Sequence, residues 1–228
     1  EDIVDIARDA CSIVSEGSLT TNGTHLGEFA RDLHEAGLKR VNVNLPTLIP
    51  EDYKRICGED LLSEVLEGIR AAIHFGLTPL KINTVILKGI NENEVERILD
   101  FGASIGAIIQ LIEMQPVPTD RRLFDLYHAD MGSIESMISS RAVETVGSSD
   151  DRRNRYVIGA NGGFTSVDVI RPIMNPQFCQ RCSRIRVTSD GKLKPCLLRN
   201  DNLIDFVGPM RANVGDEVLA ARYVDAVG

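Results

Sequence analysis

"LKINTVIL", residues 80–87, is the stretch that decides the fold class most clearly. Its aliphatic and β-branched residues favour a β-strand, and its polar positions alternate with apolar ones at the start. Apolar residues at spacings of three and four predict a helix over residues 61–75 before this strand and another over residues 92–105 after it. A strand between two helices is the repeating unit of an α/β protein with a parallel sheet.

The same alternation extends towards the N-terminus and onwards along the chain. Further strands are predicted at "SLTTN" (18–22), "RVNVNL" (40–45) and "AIIQLIEM" (107–114). Helices are predicted over residues 24–36 and, beginning at Pro50 with two acids in its first turn, over residues 50–56. We therefore predict an α/β fold with a partial parallel (βα) barrel, open or closed. An amphipathic helix starts at the first residue, which predicts a chain truncated at its N-terminus.

The pattern changes after Pro116. "PVPTDRRLFDLYHAD" predicts a long connection, and helices are predicted near residues 130–140 and 214–226. Strands are predicted near residues 142–147, 155–158, 165–170, 186–189 and 192–196. Asp190-Gly191 between the last two predicts a hairpin, because glycine tolerates a positive φ. We expect two domains, residues 1–115 with the barrel portion and residues 116–228 with a C-terminal extension.

Charge and hydropathy exclude several classes of protein. There are 25 basic and 33 acidic residues, a net charge of -8, so general binding to nucleic acid or to an anionic membrane surface is not expected. No apolar run approaches the ~18 residues that a membrane span needs, and no leader sequence is evident. These features predict a soluble cytoplasmic protein. Cys11 and Cys57 stand alone in helical patterns and are predicted to be small core residues.

Three of the five cysteines lie in "FCQRCSRIRVTSDGKLKPC", residues 178–196. Cys179 and Cys182 form a CxxC that can hold one metal centre, and Cys196 follows after thirteen intervening residues. A structural zinc usually has four protein ligands, whereas the last histidine is His128. Three thiolates instead indicate an iron-sulfur cluster with one iron open. A zinc completed by a distant residue, and a coincidental or redox set of thiols, remain alternatives.

The segment around these cysteines is basic in a chain that is otherwise acidic. Its basic residues are Arg171, Arg181, Arg184, Arg186, Lys192, Lys194 and Arg199, against the single acid Asp190. Side chains two apart leave the same face of a strand, so Arg184 and Arg186 could grip phosphate oxygens together. The alternative is that these arginines only offset the negative charge of a thiolate cluster.

The sequence resembles the molybdenum cofactor biosynthesis protein A family, the radical S-adenosylmethionine enzymes known as GTP 3',8-cyclases. The resemblance is carried by "FCQRCSRIRVTSDGKLKPCLL" and continues upstream in register through "LTTNG", "AGLKRVNVNLPTLIPEDYKRICG", "LKINTVILKGINENEVERIL" and "IQLIEMQPV". It implies a partial barrel of the radical S-adenosylmethionine type with two 4Fe-4S clusters. One cluster cleaves S-adenosylmethionine to a radical, and the C-terminal cluster holds the guanine of GTP on its open iron. The implied product is 3',8-cyclo-7,8-dihydro-GTP.

The resemblance also implies roles for single residues in the C-terminal segment. The arginines that contact GTP in the family correspond to Arg184 and Arg186. The ligands of the C-terminal 4Fe-4S cluster correspond to Cys179, Cys182 and Cys196.

Further roles are implied in the first half of the chain. Lys81 matches a lysine that reaches the triphosphate of GTP, and Thr20 matches a threonine that contacts GTP. Asn44 stands where a serine usually contacts S-adenosylmethionine, and Gln115 stands where some members have a methionine beside that cofactor. Gln110 replaces an arginine often present in the family. The substitutions at Gln110 and Gln115 are expected to weaken those two contacts.

The chain also departs from the family pattern in its cysteines. The CxxxCxxC that ligates the radical-generating cluster does not occur in the 228 residues, so the chain as given is expected to be inactive. The family's glycine-rich C-terminal tail is not evident either. A non-catalytic module that binds an iron-sulfur cluster or a nucleotide, and a peptide-modifying radical enzyme, remain alternatives. The resemblance further implies a homodimer and a downstream cyclic pyranopterin monophosphate synthase that acts on the product.

Overall fold

A computed structural model describes residues 2–116, 121–147, 154–161, 163–173, 184–197 and 199–227. The predicted cluster ligands Cys179 and Cys182 lie outside the described residues. The helices are α1 Ile3–Ile13, α2 Leu26–Glu35, α3 Pro50–Cys57, α4 Leu62–His74, α5 Val95–Ile105, α6 Arg121–Tyr127, α7 Met131–Arg141, α8 Val207–Arg211 and α9 Asp216–Val227. The strands are β1 Ser18–Thr21, β2 Arg40–Asn44, β3 Lys81–Ile86, β4 Ile108–Glu113, β5 Ala142–Gly147, β6 Asn154–Ala160, β7 Gly163–Ile170, β8 Arg186–Val187, β9 Lys192–Lys194 and β10 Ile204–Asp205.

The larger sheet has the strand order β1-β2-β3-β4-β7-β6-β5. The neighbours from β1 through β4 to β7 are parallel, and β7, β6 and β5 pair antiparallel. Helices connect the parallel strands because a parallel pair needs a crossover. The predicted α/β fold with a mostly parallel sheet is confirmed. Within the described part of the chain, no pairing closes this sheet into a barrel.

The two faces of the sheet differ in character because side chains alternate along each strand. One face is apolar and packs with the helices into a single core, to which Val43, Ile82, Ile109 and Val167 contribute with essentially no exposed surface. The opposite face carries polar side chains at several of the intervening positions, among them Asn42, Asn83 and Gln110. One face of the sheet therefore forms the hydrophobic core, and polar side chains gather on the other.

Three local expectations differ from the structure. The predicted connection after Pro116 contains helix α6, and a bridge between Leu87 and His128 fastens the end of this segment beside β3. A short 3-10 helix, Glu92–Glu94, precedes α5. The prediction that Cys57 is a core residue is wrong, since its thiol is exposed at the end of α3, whereas Cys11 is half-buried against the core. Among the described residues, no helix is long and apolar enough to cross a membrane.

The chain divides into two compact units, residues 1–174 and residues 175–228. In the second unit β8, β9 and β10 form an antiparallel sheet, and α8 and α9 follow it. The predicted hairpin is confirmed: the Thr188 and Gly191 backbones close the turn, and Gly191 has a φ of 81°. The two domains predicted from the sequence, residues 1–115 and 116–228, are not the same as these two compact units. That domain boundary stays a prediction.

Candidate functional site

The polar face of the larger sheet brings together residues from six strands. In one row across the sheet, Thr20 lies beside Asn42, and Asn42 lies beside Lys81. In the next row, two residues further along the strands, the direct neighbours in order are Asn44, Asn83, Gln110, Asp168 and Arg155. We call these residues of both rows the polar face.

Asp168 is the most tightly held residue of the polar face. Arg155 donates two hydrogen bonds to its carboxylate, from Nε at 2.7 Å and from Nη2 at 2.9 Å. Gln110 donates a third from Nε2 at 3.0 Å. Only 3% of Asp168 is exposed. Its burial raises the pKa, but the hydrogen bonds from Arg155 and Gln110 and the charges of Arg155 and Lys81 outweigh burial and lower the pKa below its ordinary value.

Lys81 and Thr20, the two residues predicted to contact GTP in this unit, lie in the same row of the polar face. Lys81 is the first residue of β3 and is half-buried. It lies close enough to Asp168 for its charge to lower the pKa of that carboxyl group. Thr20 is exposed, and its Oγ1 accepts a hydrogen bond from Nδ2 of Asn42 at 3.3 Å. Asn42 therefore joins the two predicted positions.

The residues predicted to contact S-adenosylmethionine lie at the carboxyl ends of their strands. Asn44 is the last residue of β2 and is half-buried. Gln115 is half-buried and follows the end of β4 by two residues. In open α/β sheets ligands bind beyond the carboxyl ends of the strands, so both positions suit a ligand. Gln110, at the place of a frequent family arginine, is instead a buried partner of Asp168.

The side chains of Glu113 and His128 form a polar pair at the carboxyl end of β4. Glu113 is 6% exposed, and its Oε1 lies 3.2 Å from Nε2 of His128. Its other oxygen accepts a hydrogen bond from the backbone N–H of Ile173 at 3.1 Å. Both carboxylate oxygens are thus occupied, and the pair fastens the segment after α6 and the end of β7 to the sheet. We assign this pair a structural role.

In the C-terminal unit, the hairpin places Arg186 beside the cysteine that ends the motif. Nη1 of Arg186 donates to the backbone carbonyl of Pro195 at 3.4 Å, the residue before Cys196. Cys196 is half-buried and carries no disulfide. Arg184 is exposed and lies just outside β8, which begins at Arg186. Of the two arginines only Arg186 lies within the strand, and the expectation that both side chains leave one face stays a prediction.

Several other basic residues of this unit pair with neighbours. Lys192 pairs with Asp190 at 2.7 Å, and Lys194 donates to Oδ1 of Asn200 at 2.6 Å. Arg199 pairs with Asp201 at 2.7 Å. The hydrogen bond to Asp201 raises the pKa of Arg199, and the charge of Cys196 adds a smaller contribution in the same direction. Cys196 and Arg199 are therefore within electrostatic reach of each other.

The residues of this chain fit one of the two implied iron-sulfur clusters better than the other. Thiolate is the ligand that such clusters take, and Cys196 offers a free thiol beside a cation. Among the described residues there is no group of three His, Cys, Asp or Glu that could hold a metal ion. For the radical-generating cluster the 228 residues contain no CxxxCxxC, so the residues present do not fit it.

Sequence reasoning missed the partners that complete the polar face: Asn42, Asn83, Asp168 and Arg155. The alternation of polar and apolar residues in "RVNVN" and "KINTVI" is the signal that could have found the two asparagines. No local signal relates Asp168 to Arg155, since their contact depends on the antiparallel pairing of β6 with β7.

Comparison with known proteins matches both halves of the chain. Residues 1–102 match the family described as the radical SAM superfamily, and residues 107–228 match the family described as Molybdenum Cofactor Synthesis C. A probable GTP 3',8-cyclase of Thermococcus kodakarensis is 42% identical over the whole of this chain and 74% of its own length. A probable GTP 3',8-cyclase of Pyrococcus abyssi is 40% identical, again over the whole chain and 74% of its own length. One from Methanothermobacter thermautotrophicus is 42% identical over 93% of this chain and 70% of its own length.

The parallel sheet with its polar face, together with the first family match, defines a protein of the radical SAM class. Within that class the match over the second half is specific to molybdenum cofactor synthesis. The chain belongs to the GTP 3',8-cyclase family of molybdenum cofactor biosynthesis.

Proposed function

We propose that this chain carries the GTP-binding part of a GTP 3',8-cyclase, which converts GTP to 3',8-cyclo-7,8-dihydro-GTP in molybdenum cofactor biosynthesis. The observation that supports the proposal is the hydrogen bond from Arg186 to the backbone carbonyl of Pro195, the residue before the proposed ligand Cys196. A guanidinium recognises phosphate or a purine edge, and a cysteine can hold an iron-sulfur cluster, so this proximity in the hairpin supports the proposal.

The C-terminal 4Fe-4S cluster is proposed to be held by Cys179, Cys182 and Cys196, with the guanine of GTP on the open iron. Arg184 and Arg186 contact GTP, because a planar guanidinium forms two-point hydrogen bonds with phosphate. The local pairs of Lys192 and Arg199 with acids make them poorer candidates for the same contact. The proposal assigns the contact to the two arginines of the RxR because they match the arginines that contact GTP in the family.

On the polar face, Lys81 is proposed to contact the triphosphate and Thr20 to contact GTP. Asn44 and Gln115 are proposed to contact S-adenosylmethionine at the carboxyl ends of β2 and β4. S-adenosylmethionine bound to a second 4Fe-4S cluster supplies the radical in this family. The 228 residues hold no CxxxCxxC that could ligate that cluster.

The remaining partners follow from the same family membership. We propose that the protein acts in the cytoplasm as a homodimer, and that a cyclic pyranopterin monophosphate synthase consumes the product. Neither a nucleic acid nor a membrane is a proposed partner. Size-exclusion chromatography with light scattering tests the dimer; a single monomer mass at micromolar concentration contradicts it.

The GTP site is tested by anaerobic reconstitution of the chain with iron and sulfide. The expected result is a 4Fe-4S spectrum that changes when GTP is added, and a stoichiometry of three thiolate ligands per cluster. Arg184→Ala and Arg186→Ala are expected to retain iron and to weaken GTP binding by roughly tenfold or more, since a charge-assisted hydrogen bond contributes about 1.5–3 kcal/mol. Lys192→Ala is the matched control and is expected to bind GTP normally.

Two outcomes contradict this proposal. Loss of iron in Arg184→Ala and Arg186→Ala supports the alternative that the arginines only balance the charge of the cluster. A reconstituted cluster whose spectrum does not respond to GTP overturns the contact between guanine and the open iron.

A further inference from the structure

The loop that follows β2 is held at three consecutive residues by side chains from β3 and the segment after it. The backbone carbonyls of Leu45 and Pro46 accept side-chain hydrogen bonds at 2.9 and 2.7 Å, and Oγ1 of Thr47 donates to a carboxylate. The side chains that hold these three residues are, in the same order, Thr84, Asn91 and Glu94. All three loop residues are buried, so the beginning of the loop is fixed to the neighbouring strand and its connection.

Glu94 is the one member of this set that carries a charge. The residue is 7% exposed, and its two carboxylate oxygens lie 2.8 and 2.9 Å from Oγ1 of Thr47. Within the described ranges no lysine or arginine pairs with this carboxylate. Burying a carboxylate without a cation is unfavourable, and a neutral side chain of the same shape typically fits as well or better. The charge of Glu94 therefore indicates a role beyond stability.

The carboxylate fixes the direction of a short chain of hydrogen bonds. An ionised carboxylate can only accept, so the single hydroxyl proton of Thr47 must point to Glu94. A lone pair of the same Oγ1 then faces the backbone N–H of Ile49, which donates to it at 3.0 Å. A hydrogen bond to a charged group is stronger than one between neutral groups, and the members of a chain strengthen one another. The charge of Glu94 thus orders the loop as far as Ile49, the residue before helix α3.

The loop begins directly after a residue that is proposed to contact S-adenosylmethionine. Asn44 is the last residue of β2, and Leu45 is the first residue of the loop. Ligands of open α/β sheets bind beyond the carboxyl ends of the strands, which is where this loop lies. A loop that is ordered in advance loses less conformational entropy when a ligand binds than a loop that must be fixed at that moment. Order in this loop therefore favours binding at the end of β2.

We propose that Glu94 is a positioning residue for S-adenosylmethionine, which acts through Thr47 on the loop after Asn44. Glu94 does not contact the ligand itself, because it is buried and Thr47 occupies both of its oxygens. Its charge orders the hydroxyl of Thr47, and the ordered hydroxyl holds the loop in the conformation that binds the ligand. The inference rests on the proposed function, since that function assigns S-adenosylmethionine to Asn44.

The test is Glu94→Gln, which keeps the shape of the side chain and removes its charge. The amide of glutamine can donate as well as accept, so the hydroxyl of Thr47 is no longer held in one direction. The ligand-free chain is expected to unfold at a temperature that is unchanged or higher by roughly 2–4 °C, because a buried charge without a cation has been removed. Calorimetry on the reconstituted chain should show an affinity for S-adenosylmethionine that is lower by roughly threefold to tenfold, the effect of one hydrogen bond. The affinity for GTP should be unchanged, because none of the residues proposed to contact GTP lies in this loop.

Hydrogen exchange reports the order of the loop without any ligand. The backbone N–H of Ile49 is expected to exchange roughly threefold to tenfold faster in Glu94→Gln, because its hydrogen bond to Thr47 is weakened. Thr47→Ser keeps the hydroxyl group and should retain the wild-type exchange and the wild-type affinity for S-adenosylmethionine. Glu96→Gln is the matched control on helix α5, since its carboxylate is 61% exposed, and it should leave both measurements unchanged.

The inference is overturned if Glu94→Gln binds S-adenosylmethionine as the wild type does. It is also overturned if this variant unfolds at a lower temperature and loses affinity for both ligands in the same proportion, because Glu94 is then merely structural. Failure of the proposed function is distinguishable, because then the wild-type chain itself does not bind S-adenosylmethionine. Unchanged exchange at Ile49 in Glu94→Gln overturns the inference in either case.

Discussion

Arg155 and Asp168 are direct cross-strand neighbours on β6 and β7, and the guanidinium of Arg155 contacts both carboxylate oxygens of Asp168. The carboxylate is almost completely buried, whereas about a third of the arginine side chain is exposed. Gln110 on β4 completes the set. The parallel and antiparallel parts of the sheet are therefore joined on the polar face by a charged pair as well as by the strand ladder.

Removing the arginine from this pair should destabilise the protein strongly. Arg155→Ala leaves the carboxylate of Asp168 buried without its main cation, a change that typically costs about 3–5 kcal/mol. Urea denaturation measures the loss. The control is Arg171→Ala, which breaks the more exposed pair with Glu135 and should cost about 0–1 kcal/mol. Equal losses in the two variants would contradict a special role for the buried pair.

Asp168 should also make the stability depend on pH in the acid range. Its pKa is lower in the folded protein than in the unfolded chain, so its contribution is complete above about pH 4, the unfolded value. The contribution is lost as the pH falls from there through the folded pKa. Asp168→Asn should therefore lose less stability than the wild type as the pH falls from about 4 to about 2, measured by urea denaturation. If the free energies of unfolding of the wild type and Asp168→Asn fell in parallel over this pH range, the prediction would be contradicted.

Tyr53 should make the stability of the protein depend on pH in the alkaline range as well. Burial, and then the neighbouring Cys57, raise the pKa of Tyr53 to about 12. A tyrosine with an unfolded pKa of about 10 contributes stability below that pH and loses it as the pH rises through the folded value. Tyr53→Phe should remove part of the alkaline loss, measured by chemical denaturation from about pH 9 to about pH 11, a range that brackets the unfolded pKa. Tyr223→Phe, at an exposed position, should leave the profile unchanged.

Gly191 should be indispensable for the hairpin that leads to Cys196. Its φ is 81°, and an added Cβ would lie 2.5 Å from Cβ of Val207. Gly191→Ala should destabilise the C-terminal unit by more than the about 1–3 kcal/mol that a strained left-handed residue costs. Gly58→Ala separates the backbone strain from the steric clash. Gly58 also has a positive φ, 86°, but nothing lies within 4 Å of its added Cβ. Urea denaturation measures the loss in each variant, and hydrogen exchange at the Thr188 and Lys192 amides locates the effect of Gly191→Ala in the hairpin. Equal losses in the two variants would exclude the clash with Val207.

Cysteine substitutions should show which thiols the C-terminal iron-sulfur cluster requires. Cys196→Ser should lower the iron content of the reconstituted chain to background, because one of the three proposed thiolate ligands is lost. Cys57→Ser, at an exposed thiol of the other unit, should leave iron unchanged. Retention of a full 4Fe-4S signal in Cys196→Ser would exclude that residue as a ligand.

Much of the first unit could be predicted because its signals are local. The alternation in "RVNVNL" and "LKINTVIL" predicts β2 and β3 to within a residue at each end, and Pro50 with the following acids predicts the start of α3. Asp190-Gly191 predicts the turn between β8 and β9. Helix α6 was missed, since the residues around it read as a connection and it buries none of its own residues.

The sequence by itself determined the α/β class, because helix and strand periodicities are local, and its motifs indicated the family by resemblance. The roles of the cysteines and arginines of the C-terminal motif stay predictions. Only the tertiary structure decided which polar residues meet. The row that joins Asn44, Asn83 and Gln110 to Asp168 exists because four separate strands pair in one register. Whether an amide is satisfied, as in Asn91, or left without a donor, as in Asn83, depends on these long-range neighbours. Local sequence contains no information on that difference, since the two asparagines are chemically the same.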